Sequence, residues 1–192
     1  MKAVIHKLSP SATEMIRADH TRVLATFHRY DIDASPTVKQ ALVSSICMSL
    51  EVHAQIEEEI FYPALREAKS TLVGEFEREH AEMRNLIATL RRMQASEAQF
   101  DPTFMELMRA VMHHVADEET MLLPNAESLM GSERLGELGG RMMARRVALS
   151  VPRAGEMARS AARANPTNAA LVAMGALLAG MYVLKQARRR RA

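Results

Sequence analysis

HAQIEEEIFYP at residues 53–63 and HVADEETMLLP at residues 114–124 align without a gap. The two stretches share a histidine, a glutamate four positions later, a second glutamate beside it, an apolar triplet and a closing proline. Upstream, ADH (18–20) matches REH (78–80), so His20 precedes His53 by 33 residues and His80 precedes His114 by 34. A repeat of this length describes two helical hairpins related by a pseudo-two-fold axis, facing each other across one core. A duplication kept for packing alone would hold its apolar positions more strictly than its polar ones. Here the polar positions are kept and the apolar ones drift, which points to a shared site.

Four helical patterns carry the repeat. Ser11-Ala-Thr-Glu14 is a capping box just after Pro10, and Ile16, His20, Val23 and Phe27 follow as one stripe of an amphipathic helix. Residues 31–36 form a polar turn, with Ser35 as N-cap and Pro36 at the first helical position. The second stripe reads Leu42, Ile46, Ser49, His53, Ile56/Glu57, Ile60, and is predicted to end near Pro63. The third begins near Ser70 and reads Val73, Phe76, His80, Met83, Ile87, Leu90. Asp101 and Pro102 give a cap-plus-proline start to the fourth: Phe104, Leu107, Val111, His114, Glu118, Met121, predicted to stop at Pro124. The fold expected is all-α, an up-down-up-down four-helix bundle over residues 11–130, followed by a C-terminal helical tail. Composition agrees: 48% of residues are hydrophobic, only 4% are aromatic and Trp is absent, which disfavours a β-sandwich or barrel. The single cysteine, Cys47, excludes a disulfide framework and every multi-cysteine metal motif, and suits a reducing compartment.

Each stripe is apolar except at one place. His20, His53 with Glu57, His80, and His114 with Glu118 fall where the pattern assigns the core, and a bundle does not bury six ionisable groups unpaired. Residues i and i+4 share a helix face about 5–6 Å apart at Cβ, so each His-x-x-x-Glu pair can grip a common centre. Four imidazoles and two carboxylates without a thiolate suit iron or manganese better than a structural zinc. Six side chains exceed one tetrahedral ion. They suit two ions, each with two histidines, bridged by Glu57, Glu118 and an oxo, hydroxo or water ligand.

The lone histidines, the H-x-x-x-E pairs and their E-E-x-x-x-x-P ends resemble the hemerythrin-like family of HHE cation-binding domains, over roughly residues 11–130. That resemblance implies a four-helix bundle with a non-haem di-iron site, iron rather than manganese, that binds dioxygen or a related small ligand. By motif position it carries His20, His53, Glu57, His80, His114 and Glu118 over as ligands. The oxygen-carrying members have an H-x-x-x-H pair on the third helix, where this chain has His80-Ala-Glu-Met-Arg84. Arginine stays protonated and cannot ligate. The change opens a coordination position, sets a cation nearby and turns the expectation from oxygen transport towards redox or iron-responsive sensing, or nitric oxide and peroxide chemistry.

Among the neighbours, Asp19 and Glu79 precede the lone histidines, and Glu58 and Glu119 follow the bridging glutamates. These four, with Arg84, are candidates to support the ligands, although a solvated helix face is the default for Asp19 and Glu79 and the same alternative holds for Glu58 and Glu119. His113 has ligand spacing to Asp117 but lies on a solvent-facing stripe. His28 and His6 read as surface and incidental, Tyr62 as core packing, and Cys47 as a small buried hydrophobe.

The tail is a separate argument. Residues 1–130 hold thirteen Lys and Arg against twenty Asp and Glu, whereas residues 131–192 hold twelve against three. Residues 131–166 read as a basic helical linker, and residues 167–192 as a transmembrane anchor with an Arg-rich end. Within it AALVAMGALLAGMYVL (169–184) carries no charge and spans ~24 Å at 1.5 Å per residue, and Ala176-x-x-x-Gly180 suits helix self-association in lipid. The start, MKAVIHKLSP, has no apolar secretory region, so the bundle is expected in the cytoplasm, tethered to a bacterial inner membrane, or soluble there if the tail is no anchor. Nucleic acid ranks last as a partner, because no aromatic stacking residues accompany the arginines. The function expected is a di-iron protein binding dioxygen, nitric oxide or peroxide in a redox or sensing role. The alternatives are a di-iron oxidase or peroxidase, and an iron-responsive sensor signalling through the tail.

Overall fold

The computed structural model describes residues 10–164 and contains only helices among them. Helix α1 is Ala12–Phe27, and its capping box is formed on both sides: Ser11 Oγ accepts from the Glu14 amide, and the Glu14 carboxylate accepts from the Ser11 amide at 2.7 Å. Helix α2, Pro36–Ile56, starts on Ser35 with proline at its first position. Helices α4, Val73–Leu90, and α5, Phe100–Asp117, form the second hairpin.

The two signature helices do not stop at their prolines. Each passes into a π-turn that begins at the signature glutamate, Glu57–Phe61 after α2 and Glu118–Leu122 after α5. Beyond them the chain continues as α3, Tyr62–Glu67, and α6, Leu123–Ala164. A proline inside a helix lacks its N–H and clashes with the carbonyl four residues back, and the wider turn just before Pro63 and Pro124 accommodates both faults. The extra residue also rotates the register. Met121, assigned to the core stripe, is 41% exposed, and Leu122 takes its place at 0%. The other two starts also differ from expectation. Helix α4 opens at Val73 rather than Ser70, and Asp101 does not cap α5, because its carboxylate is taken by Lys39 at 2.8 Å and by the Tyr30 hydroxyl.

Two apolar clusters fill the bundle. One gathers Ile16, Ile56, Phe61, Tyr62, Leu65, Phe76 and Leu122; the other gathers Phe27, Ile46, Leu90, Phe100, Phe104 and Leu107. Each large side chain so buried stabilises the fold by roughly 1.5–3 kcal/mol relative to exposure. The polar residues of the repeat lie between the two.

Gly131 interrupts α6 with φ 67° and ψ 169°, a left-handed backbone that glycine tolerates without a Cβ clash. The chain then folds back, so that the basic segment lies against the bundle, parallel to α1 and antiparallel to α2. Leu135, Leu138 and Met142 join the first cluster, and Arg145 clamps Glu59 at 2.6 and 2.8 Å. Gly139 packs directly on the entry to α1, where an added Cβ would lie 2.2 Å from the Pro10 carbonyl oxygen. No helix among the described residues is long and apolar enough to cross a membrane. The apolar run 169–184 and the Arg-rich end lie outside the described residues.

Candidate metal centre

Helices α1, α2, α4 and α5 each deliver one imidazole to the middle of the bundle. His20, His80 and His114 are 1–2% exposed and His53 is 8% exposed, while Glu57 and Glu118 are wholly buried. Each glutamate spans the two hairpins. Glu57 Oε1 lies 3.3 Å from His53 Nε2 of its own helix, and Oε2 lies 3.4 Å from His80 Nε2 of the opposite hairpin. Glu118 Oε2 repeats this, at 3.5 Å from His114 Nε2 and 3.1 Å from His20 Nε2. His80 Nε2 and His114 Nε2 stand 3.3 Å apart. The structure therefore brings all six residues together.

Their far sides are held as systematically. His20 Nδ1–H donates to Glu119 at 2.8 Å, His80 Nδ1–H to Glu58 at 3.0 Å, and His114 Nδ1–H to Glu79 at 2.7 Å. His53 Nδ1 stands 3.5 Å from Asp19. A carboxylate at Nδ1 favours the tautomer whose Nε2 can present a lone pair inward to a cation. Asp19 and Glu79, expected by default on a solvated face, instead reach the neighbouring helix, with side chains only 13% and 17% exposed. Arg84 does not enter the centre. Its side chain is 46% exposed and pairs with Glu58 behind His80.

Five of the inward atoms have no hydrogen-bond partner: His20 Nε2, His53 Nε2, Glu57 Oε1 and both oxygens of Glu118. A buried polar atom left unpaired costs about 1–3 kcal/mol, so five aimed at one space make the arrangement unfavourable unless something compensates them. The donors fall into two overlapping sets able to hold an ion, His20, His53, His114 with Glu118, and His53, Glu57, His80 with His114. A bound cation fits this donor chemistry. The electrostatics agree: burial and the charge of Glu118 push the Glu57 pKa well above the usual carboxylate range. Burial works the same way on Glu118, but His114 and His20 outweigh it and hold its pKa far down. Burial takes His53 down to about 4, whereas Glu118 and Glu79 overcome burial at His114 and bring it up to about 9. Two buried carboxylates cannot both stay charged here without added positive charge.

Tyr62 does more than pack: its hydroxyl lies 3.4 Å from both Glu57 Oε2 and His80 Nε2, with its ring stacked on that of His80. Its partner position in the repeat is Leu123. Arg146 was also missed: from the folded-back segment it grips both oxygens of Asp19, one at 2.8 Å, and so stands behind His53. The signal available was charge alone, one arginine in a basic run. His113 is 70% exposed and, with Asp117 and Glu79, makes only a surface set. His28 is exposed, His6 lies outside the described residues, and Cys47 is buried with its thiol pushed up to about 12 by burial.

Comparison with known proteins adds three findings. Residues 11–126 match the hemerythrin HHE cation binding domain. A "DNA nickase" from Nostoc sp. (strain PCC 7120) is 29% identical over 126 residues; the match covers 63% of this chain but only 35% of that protein. The crystal structure of a hemerythrin HHE cation binding domain-containing protein from Mycobacterium kansasii superposes with a TM-score of 0.64 at 22% identity, covering 85% of this chain and 98% of that one.

Proposed function

This chain belongs to the hemerythrin HHE cation-binding family, and from that premise we propose that it is a non-haem di-iron protein binding dioxygen, nitric oxide or peroxide in a redox or sensing role. The observation that carries the reading is the set of five buried, unpaired nitrogen and oxygen atoms converging from both hairpins. His20, His53, His80 and His114 would hold the two ions from their Nε2 atoms, and Glu57 and Glu118 would bridge them. Bound there, iron supplies one-electron redox chemistry and an open position for a small ligand. The chain's own contribution is orientation. Asp19, Glu58, Glu79 and Glu119 aim the rings, the two apolar clusters flank them, and Tyr62 offers a hydroxyl hydrogen to a ligand beside Glu57 and His80.

A sensing role draws support from the Arg146–Asp19–His53 contact, since it ties the segment leading into the tail to one ligand. In this proposal the apolar run 169–184 tethers the bundle to the cytoplasmic face of a membrane and can pair with a second copy there. The nickase name belongs to a protein of which this match covers only a third, and the excess of acid over residues 1–130 disfavours a polyanion. The function is tested by reducing the iron-loaded protein anaerobically and readmitting air. A visible spectrum that appears and reverses supports binding; sustained consumption of peroxide or nitric oxide would replace it with the enzymatic reading. Fractionation of the chain with and without residues 166–192 tests the tether, and a truncated form still in membranes would overturn it.

A further inference from the structure

A cavity of about 930 Å³ opens onto all four imidazoles from the side of the second apolar cluster. Dioxygen, nitric oxide or peroxide fills about the volume of one water, roughly 30 Å³. Space of this size belongs instead among sites for whole organic molecules, which run to roughly 300–1,000 Å³. Burial supports real access. Val23, Leu42 and Met83 keep 6–8% exposure although they lie on core stripes, and His53 is the most exposed of the four histidines at 8%. By contrast Phe100, Phe104 and Leu107 of the same cluster are at 0%. The opening has a cause in the sequence: Ser49, four residues before His53 on the second stripe, is small and exposed where that stripe calls for a large apolar side chain.

The walls and the rim differ in chemistry. Leu42, Ile46, Met83, Ile87 and Val111 give one wall of the interior an apolar surface suited to hydrocarbon, apart from the imidazoles and from Ser45 and Ser49. At the rim Arg22 stands on the last turns of α1 and Arg29 in the turn just after that helix, and Arg146 joins them from the folded-back segment. Of the acids that also line the cavity, Asp19 is shared by Arg22 and Arg146, Glu58 is paired by Arg84 and Glu51 by Arg91, while Arg29 has no ion pair among the described residues. The rim is left with net positive charge over an apolar interior.

We propose that this cavity binds a single-chain amphiphilic anion of the fatty-carboxylate type, its hydrocarbon along Leu42, Ile46, Ile87 and Val111 and its head group at Arg22 and Arg29. The proposal deepens the di-iron reading and rests on it only in placing the ligand beside the centre; the binding itself needs no metal. Such a molecule would cover the open side of His53 and govern what else reaches the site.

The test titrates dodecanoate against a displaceable fluorescent fatty acid on the iron-loaded full chain, with dodecanol and anionic vesicles as parallel arms and iron content measured on every sample. Dodecanoate is expected to bind at one site per chain, about tenfold tighter than dodecanol. Val111→Phe, which fills the interior, is expected to weaken it at least about tenfold with iron content unchanged. Arg29→Glu, on the exposed face, is expected to weaken it about fivefold with the melting temperature unchanged. Equal affinity for dodecanol, indifference to both substitutions, or capture by vesicles alone would overturn the proposal. Binding by a protein that holds no iron would sink the di-iron reading and leave this site standing; iron without binding would do the reverse.

Discussion

The two hairpins carry the same polar residues, but they are not supported alike. In the first, Asp19 behind His53 is gripped by Arg146, and Tyr62 sends a hydroxyl to Glu57 and His80. In the second, Glu79 takes the place of Asp19 behind His114, with no cation pairing it among the described residues, and Leu123 takes the place of Tyr62. What the duplication preserves is the donor set. What it does not preserve is the backing, so the two halves of the donor set are inequivalent although their donors are matched.

The largest effect tests the matched part. His114→Ala should lose at least one of two irons, while His113→Ala beside it should leave metal content unchanged, both read by elemental analysis. Next come the paired supports. Asp19→Asn and Glu79→Gln should each weaken iron binding by about 10–100-fold, measured by competition with a chelator. Arg146→Ala should reproduce part of the Asp19→Asn loss and add nothing to it in the double variant, since it acts on His53 only through Asp19. An additive double variant would break that link.

A control far from the centre concerns Asp101, which ties the hairpins together through Lys39 and Tyr30. Asp101→Asn should cost about 2 kcal/mol in denaturant unfolding at neutral pH, since Lys39 is buried and loses its charged partner. Burial raises the Asp101 pKa, but the Lys39 and Tyr30 contacts outweigh it and leave it below the ordinary 3.8. A depressed folded pKa means stability present above about pH 4 and lost as pH falls through the folded value, so the gap between wild type and variant should narrow only below pH 4. The smallest effect belongs to Tyr62→Phe. It removes one buried hydroxyl with its two long contacts, about 1 kcal/mol, and should leave iron content unchanged while changing the spectrum of the ligand-bound form.

The bundle and its six donors were legible because the histidines and glutamates recur at the period of the core itself. Interruption of every stripe at one level is a pattern that periodicity can display. The π-turns were not legible. An apolar triplet follows each glutamate, so a slip of one residue still finds an apolar side chain, and the period points to Met121 where the fold buries Leu122. Tyr62 owes its place beside Glu57 to that same turn. Asp19 and Glu79 sit next to core positions, where a single helix taken alone predicts solvent; their targets lie on the neighbouring helix. Arg146 was hidden in a basic segment whose charge suggested a tail, and only the reversal at Gly131 puts it behind His53.

Metal analysis of protein purified under reducing conditions tests the central claim most directly. Two irons per chain are predicted, falling to one or none in His114→Ala. Protein that folds and holds no transition metal, or that keeps two irons when His114 is removed, would contradict it.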